Sequence, residues 1–211
     1  DGADDHGRIV DDGGPTAWKL PPANTAFDYQ LGGAYSPPSG VTVVVRDRTS
    51  PIASSAYNIC CVNGFQAQPD EADFWHREHP DLVLKDSAGE EVIDERWNEL
   101  GLDTRTEAKR QALVAIVRPW ITRCAADGFD AVEFDNLDSF SRSHGLISKD
   151  DNIAFVRLLS DVAHANHLAV GQKNAVELSR EVGRMGTDFA IAESCNELEE
   201  CGDYQTVYGD H

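Results

Sequence analysis

The stretch GFDAVEFDNLD, residues 128–138, begins as a short apolar strand and ends in a group of acids. Side chains alternate between the two faces of a strand, so Glu133 and Asp135 share one face while Phe134 takes the other. Burying either carboxylate costs free energy unless it is paired or neutralised. Acids at a strand end are often only solvated turn residues. Two acids on one face, with a third at Asp138, instead favour a functional site.

Further apolar runs predict a sheet of parallel strands. The six predicted strands cover residues 26–31, 41–46, 57–62, 130–135, 168–173 and 188–193. Helical patterns separate the later strands, which implies right-handed crossovers between parallel neighbours. Such a sheet is either open or closed into a barrel. An open nucleotide-binding sheet would usually carry a glycine-rich phosphate loop, and the sequence has none. We therefore predict an α/β fold of the TIM-type (β/α)8 barrel class.

Helix boundaries are also indicated by the sequence. Capping boxes, in which a Ser or Thr is followed three residues later by an acid, predict helix starts at 104–107 and 148–151. Pro119 should kink the first of these helices or mark a junction between two. A third helix is predicted over 175–185, where Gly186 would end it.

Length and charge limit the function further. The 211 residues fit a polar leader over 1–24 and a single barrel domain over 25–211. A net charge of −19 argues against nucleic acid and anionic membranes as partners and suits neutral or cationic ligands. No apolar run reaches the roughly 20 residues of a membrane span. The leader has the composition of a segment left after removal of an export signal, so we expect a secreted protein.

The cysteines predict at least one local disulfide. An odd count leaves one or more thiols without an internal partner. Cys195 and Cys201 flank a polar acidic loop and could close it, whereas the pairing of Cys60, Cys61 and Cys124 stays open. No Cys-x-x-Cys, zinc-finger spacing or HExxH occurs, so we expect no metal and no cofactor.

Polar residues close several successive predicted strands, and in a parallel barrel these ends form the active site. They are Tyr29, Gln30, Glu133, Asp135, Asn136, Gln172, Lys173, Asn174 and Glu193. No nucleophile elbow is present, which argues against a Ser-His-Asp hydrolase. Two carboxylates acting across a glycosidic bond fit this composition, one as nucleophile or base and the other as proton donor. Aromatic residues that could stack on sugar rings are Tyr29, Trp75, Trp97 and Phe140.

Four runs, YNIC, GFDAVEFDNLDSF, LAVGQKN and DFAIAESCNELEECGDY, resemble glycoside hydrolase family 114, the endo-α-1,4-polygalactosaminidases and related proteins. The resemblance spans nearly the whole chain from about residue 26. It implies a secreted (β/α)8 barrel that cleaves galactosamine-containing polysaccharide with retention. The family has one or two strands beyond the six found before His211, so we expect a barrel that is incomplete at the C-terminus of this chain.

The resemblance also implies roles for single residues. Asp135 matches the nucleophile, Glu193 matches the acid/base, and Cys195 and Cys201 match the family's paired cysteines. The residues expected to bind the sugar are Tyr29 and Gln30, from the first strand end, and Glu133, Asn136, Asp138, Lys173 and Asn174, from the resemblance.

The expected partner is a polysaccharide, and a partly deacetylated galactosamine polymer would be a cation that matches the acidic chain. The sequence departs from the family at Cys61, where an aromatic residue is expected, and in AESC, where Asn-Glu-Gln-Cys is commoner. Two alternatives remain open, a non-catalytic glycan-binding barrel and a glycosidase for another sugar. The presence of both Asp135 and Glu193 favours an enzyme.

Overall fold

The structure, a computed structural model, describes residues 18–211, so residues 1–17 of the predicted leader lie outside the described part. The last residues of that leader contact the barrel. The Trp18 ring stacks on His164 with 3.8 Å between ring centroids, and the Tyr57 hydroxyl donates to the Lys19 carbonyl at 2.6 Å. Across residues 18–211, no helix is both long enough and apolar enough to cross a membrane.

The described chain alternates strands with helices. In order, the elements are β1 (Ala26–Gln30), β2 (Val41–Asp47), β3 (Tyr57–Asn63), β4 (Gln66–Ala67), α1 (Ala72–Glu78), β5 (Ile93–Asp94), β6 (Glu99–Gly101), α2 (Glu107–Ala126), β7 (Ala131–Asp135), α3 (Ser139–Arg142), α4 (Lys149–Ala165), β8 (Ala169–Lys173), α5 (Val182–Met185), β9 (Phe189–Ile191) and α6 (Cys201–Tyr208). Short 3₁₀ segments cover Pro69–Glu71 and Val176–Glu181.

The main sheet is parallel and has six strands in the order β1-β2-β3-β7-β8-β9. All six predicted strands are confirmed, and the sheet curls into a half-barrel of the TIM type. Within it, Glu133 lies in register with Cys61 on one side and with Gly171 on the other. The Phe189 ring packs over Gly171 so closely that a Cβ there would lie 2.8 Å from the ring, so any larger residue would force the ring to shift.

Two apolar layers cover the two faces of β7. Val132 and Phe134 belong to the outer core, where they pack with helices α2 and α4, while Ala131 belongs to the inner core. The alternation expected for this strand is therefore confirmed. Each fully buried large apolar side chain contributes about 1.5–3 kcal/mol. Trp75 is completely buried in the outer core, so its ring is not available for sugar stacking.

One predicted helix start is confirmed and the other is wrong. At Ser148 both bonds of the capping box form with Asp151. At the first site the cap is Thr106, whose side chain accepts from the Lys109 amide. Thr104 is buried and donates to Asn152 Oδ1 at 2.8 Å, so tertiary contact and not helix capping uses its hydroxyl.

The other two helix predictions are partly confirmed. Helix α2 runs through Pro119 without interruption, so a junction between two helices at this residue is wrong. The helix predicted over 175–185 consists of the 3₁₀ segment Val176–Glu181 and the short helix α5. Gly186 ends α5 with a positive φ of 74°, as expected for a C-terminal cap.

A small antiparallel sheet, in the order β4-β6-β5, was not predicted. Its strands have only two or three residues each. Alternation of apolar and polar residues cannot be recognised over so short a span. This sheet matters because Glu99, at the start of β6, reaches the carboxyl ends of the main strands.

Two disulfides form among the described residues. Cys195–Cys201 is confirmed, and Cys60–Cys124 ties β3 to α2 across 64 residues of sequence. Cys60 and Cys61 are neighbours in a strand and therefore face opposite sides. Cys60 meets the helix layer, while Cys61 is a buried free thiol on the inner face.

The two disulfides should differ in their effect on stability. Replacing both cysteines of the long-range pair, as C60A/C124A, should lower the free energy of unfolding by about 4 kcal/mol, against about 2 kcal/mol for C195A/C201A, because the loop that is closed is much longer. Urea unfolding of both double variants measures this difference. Equal losses would contradict the loop-length argument.

Candidate functional site

The side chain of Lys173, at the end of β8, is the meeting point of the strand ends. It is only 5% exposed. Its ammonium donates to the Tyr29 hydroxyl at 2.8 Å and lies 3.4 Å from Asp135 Oδ1 and 3.5 Å from Glu193 Oε2. Residues from β1, β7, β8 and the segment after β9 thus converge on one nitrogen.

The two predicted catalytic carboxylates share this ammonium. Because both bind Nζ, their nearest oxygens lie no more than about 7 Å apart, a limit that admits the spacing of about 5 Å used by retaining glycosidases. The side chains of Asp135 and Glu193 are 32% and 53% exposed. A ligand can therefore reach both carboxylates from solvent while Lys173 stays behind them.

Asn174 holds Glu193 in place. Its amide nitrogen donates to Glu193 Oε2 at 3.2 Å, and its amide oxygen accepts from the Glu193 backbone at 2.8 Å. Asn174 has a positive φ of 49°, a conformation that asparagine adopts more readily than most residues. The structure therefore places this predicted sugar-binding residue beside the carboxylate, which it orients.

Glu133 lies behind the exposed carboxylates and is completely buried. The Tyr29 hydroxyl donates to its Oε1, and Oε2 has no hydrogen-bond partner within residues 18–211. Burial raises the pKa of Glu133 to about 7, although the charge of Lys173 and the bond from Tyr29 act in the opposite direction. Glu133 is thus a buried acid that changes its charge near neutral pH.

Two neighbours of Glu133, Lys173 and Tyr29, keep their ordinary ionisation states. Burial alone would lower the pKa of Lys173, but the surrounding carboxylates, Glu133 foremost, hold it above its usual value. Burial and the charge of Glu133 raise the pKa of Tyr29 as well. Lys173 is therefore an ammonium and Tyr29 a neutral hydroxyl at any physiological pH.

A second group of polar residues, here called the rim, also lies at the carboxyl end of the sheet and contains Glu99, Asn63, Asn136 and Asp138. Asn136 donates to Glu99 Oε2 at 3.0 Å, and Asn63 donates to the same oxygen at 3.1 Å. Burial raises the pKa of Glu99 despite these bonds. Sequence reasoning missed Glu99, because a single acid in a three-residue strand carries no signal.

Arg142, on α3, braces this rim. It donates to Asp138 at 2.6 Å and to Asn136 Oδ1 at 2.9 Å, and it forms an ion pair with the buried Asp94 at 2.6 Å. Asp138, a predicted sugar-binding residue, therefore shares the single positive charge of this arginine with Asp94.

The structure corrects the prediction that Gln30 binds the sugar. The side chain of Gln30 does not lie in the group of residues around Lys173. Strand alternation turns Tyr29 inward and Gln30 to the other face. There its amide oxygen accepts from Arg46 at 2.9 Å and its amide nitrogen donates to Asp28 at 2.7 Å.

Two further features lie apart from the cluster. Trp97 is 60% exposed in the turn between β5 and β6 of the small sheet. Phe140 packs against the outer core and against a smaller apolar cluster of Leu84, Val92 and Ile147. A groove of about 700 Å³ is lined by none of the clustered residues; it is bounded by Asp86, Ser87, Glu91, Val92, Ile93, Glu95, Asn98, His144 and Leu146. Within residues 18–211, no three histidine, cysteine or acidic side chains are placed to hold a metal ion.

A curled parallel sheet with two accessible carboxylates at its carboxyl end defines the architecture of a barrel glycoside hydrolase. The model of glycoside-hydrolase family GH114 matches residues 10–211, and the chain belongs to this family. No curated protein sequence matches the chain significantly.

Several solved structures share the fold. Ega3 from Aspergillus fumigatus, solved with galactosamine, is 23% identical with a TM-score of 0.71, covering 90% of this chain and 75% of Ega3. The glycoside hydrolase domain of PelA from Pseudomonas aeruginosa is 14% identical with a TM-score of 0.54, covering 80% of this chain and 66% of that one. An α-amylase from Lactobacillus plantarum is 11% identical with a TM-score of 0.53, covering 88% and 56%.

The buried acid predicts an unusual pH dependence of stability. Between the ordinary pKa of 4.5 and the folded-state pKa of about 7, the folded protein keeps a proton on Glu133 that the unfolded chain has lost. The contribution of Glu133 to the free energy of unfolding is therefore complete below pH 4.5 and is lost as the pH rises to 7. The E133Q variant lacks this proton, so its Tm relative to wild type should rise from pH 5 to pH 8.

Asp103 provides the matched control for this measurement. It is fully buried, but bonds from Arg105 and Lys109 outweigh the cost of burial and lower its pKa. It is therefore ionised in folded and unfolded protein between pH 5 and 8, and the Tm offset of D103N should not change with pH. A constant offset for E133Q as well would contradict the assignment.

Proposed function

We propose that this protein is a secreted, endo-acting glycoside hydrolase that cleaves α-1,4-linked galactosamine-containing polysaccharide with retention. The observation that carries the proposal is the pair of accessible carboxylates on one buried ammonium. Family membership supports glycoside hydrolysis, and the similarity to Ega3, solved with galactosamine, supports this class of sugar. The two disulfides are typical of proteins that fold in an oxidising compartment, which supports secretion.

Asp135 is the nucleophile in this proposal. Its Oδ1 accepts from the Lys173 ammonium at 3.4 Å and from the Asn136 backbone N–H at 3.0 Å. This leaves Oδ2 to attack the anomeric carbon. As the new C–O bond forms, the glycosidic C–O bond breaks, and Glu193 gives its proton to the departing oxygen.

Lys173 then connects the two steps. Formation of the glycosyl ester removes the negative charge of Asp135, so Glu193 becomes the exposed carboxylate that balances the ammonium. Having given up its proton, Glu193 can take one from water in the second step. The water attacks the anomeric carbon and releases Asp135 with the original configuration.

Substitution of the two carboxylates tests the mechanism. D135N should lower kcat by about 10³-fold or more, and E193Q by about 10²–10⁴-fold, while binding of a galactosamine oligomer is retained. Released reducing ends measure turnover, and NMR of the first product gives its anomeric configuration. The control is D161N, an exposed acid paired with Arg157 on α4, which should leave kcat unchanged.

The outcomes separate this proposal from its alternatives. Binding without cleavage by the wild-type protein would indicate a non-catalytic glycan-binding barrel, and cleavage of only another polymer in a substrate panel would indicate a different glycosidase. Substantial turnover by D135N would exclude Asp135 as the nucleophile.

The net charge of −19 yields a second prediction. A deacetylated galactosamine polymer is a cation, and the field of an acidic protein should increase its rate of encounter. Raising ionic strength from about 10 mM to about 500 mM should therefore lower kcat/KM several-fold for this polymer. The fully acetylated, neutral polymer is the control and should show little change. Equal salt responses for both polymers would rule out steering.

A further inference from the structure

Glu133 has a position that its expected role does not explain. The family resemblance implies a residue that lines the sugar subsite, yet the side chain of Glu133 has no solvent exposure. Phe189 fills the inner face above the neighbouring Gly171, and Cys61 occupies the other side in register. A sugar at the strand ends therefore cannot touch this carboxylate.

A directed chain of hydrogen bonds connects Glu133 to the exposed carboxylates. Lys173 has only donor hydrogens, so at 2.8 Å from the Tyr29 hydroxyl it must donate to that oxygen. The single hydroxyl proton of Tyr29 is then donated to Glu133 Oε1. The Tyr29 ring also lies 4.9 Å from the ammonium, close enough for a cation–π contact.

We propose that Glu133 is a positioning residue that acts through the Tyr29 hydroxyl to hold the Lys173 ammonium between Asp135 and Glu193. This inference rests on the proposed function of those two carboxylates. It assigns Glu133 no contact with sugar or with reacting atoms.

The second carboxyl oxygen of Glu133, Oε2, allows the bond to Tyr29 to persist when the carboxyl changes its charge. Oε1 receives the bond from Tyr29, whereas Oε2 accepts from no N–H or O–H group among the described residues and can carry a proton. The buried Cys61 thiol is the other polar group beside this carboxyl. Glu133 therefore keeps its bond to Tyr29 whether it is charged or neutral. Without an acceptor at this position, the Tyr29 hydroxyl would lose its orientation. Lys173 would then lose the one neutral acceptor that it has within residues 18–211.

Three variants test the series of hydrogen bonds from Glu133 through Tyr29 to Lys173. E133L removes the acceptor at similar volume, Y29F removes the hydroxyl between the two, and E133Q keeps an amide oxygen for Tyr29. E133L and Y29F should each lower kcat by about 10–100-fold, as expected for a displaced catalytic group, with KM changed less than about threefold. E133Q should retain most of the turnover.

The double variant E133L/Y29F shows whether the two residues act through one link. A shared link predicts that the double variant turns over no more slowly than the slower single variant. Multiplied losses, or a rise in KM as the main effect of E133L, would indicate direct contact with sugar and overturn the proposal. The control D103N alters another buried carboxylate and should leave kcat unchanged once folding is verified.

A crystal structure of each variant tests the proposal without turnover. Lys173 Nζ should leave its position between Asp135 and Glu193 in E133L and Y29F and keep it in E133Q. An unmoved ammonium in E133L overturns the positioning role even if the protein is an active hydrolase. A displaced ammonium in a protein that cleaves no galactosamine polymer would retain the role and reject the proposed function. If E133L does not fold, Y29F breaks the same link.

Discussion

The burial of one lysine ammonium at the carboxyl end of β8 is the interaction on which the rest of the site depends. Removing a charge from water costs several kcal/mol unless opposite charges surround it. Lys173 faces three carboxylates, those of Asp135, Glu193 and Glu133, so the cluster would have an excess of negative charge if all were ionised. Protonation of Glu133 relieves this excess, because burial raises the pKa of its carboxyl to about 7.

The surrounding fold supplies the rigidity that such a charge cluster needs. Strand β7 carries Glu133 and Asp135 and lies between β3 and β8 in the middle of the sheet. Its outer side chains are fixed by the helix layer, to which the Cys60–Cys124 disulfide ties the adjacent strand. A site built on buried central strands keeps its geometry more closely than one built on loops.

Much of this was accessible from the sequence, because a period of two fixes which side chains of a strand share a face. That rule predicted the shared face of Glu133 and Asp135, while apolar runs predicted the six strands. Applied to sequence neighbours, the same rule excludes that Tyr29 and Gln30 both face inward. Other features depend on distant contacts. The capping-box pattern favours Thr104, but the buried partner Asn152 takes its hydroxyl, and Thr106 caps the helix instead. Glu99 reaches the site from a strand too short to be recognised.

The net charge of the whole protein and the ion pairs of the site have separate roles in this molecule. The rim acid Asp138 and the buried Asp94 share the single positive charge of Arg142, and the exposed pair at the site shares that of Lys173. These two cations offset part of the negative charge at the strand ends. Attraction of a cationic polymer would arise from the surface as a whole, which salt screens, whereas the partly buried ion pairs of the site are screened much less. Under the proposed function, ionic strength would therefore act on encounter, and substitutions around Lys173 would act on the chemical step.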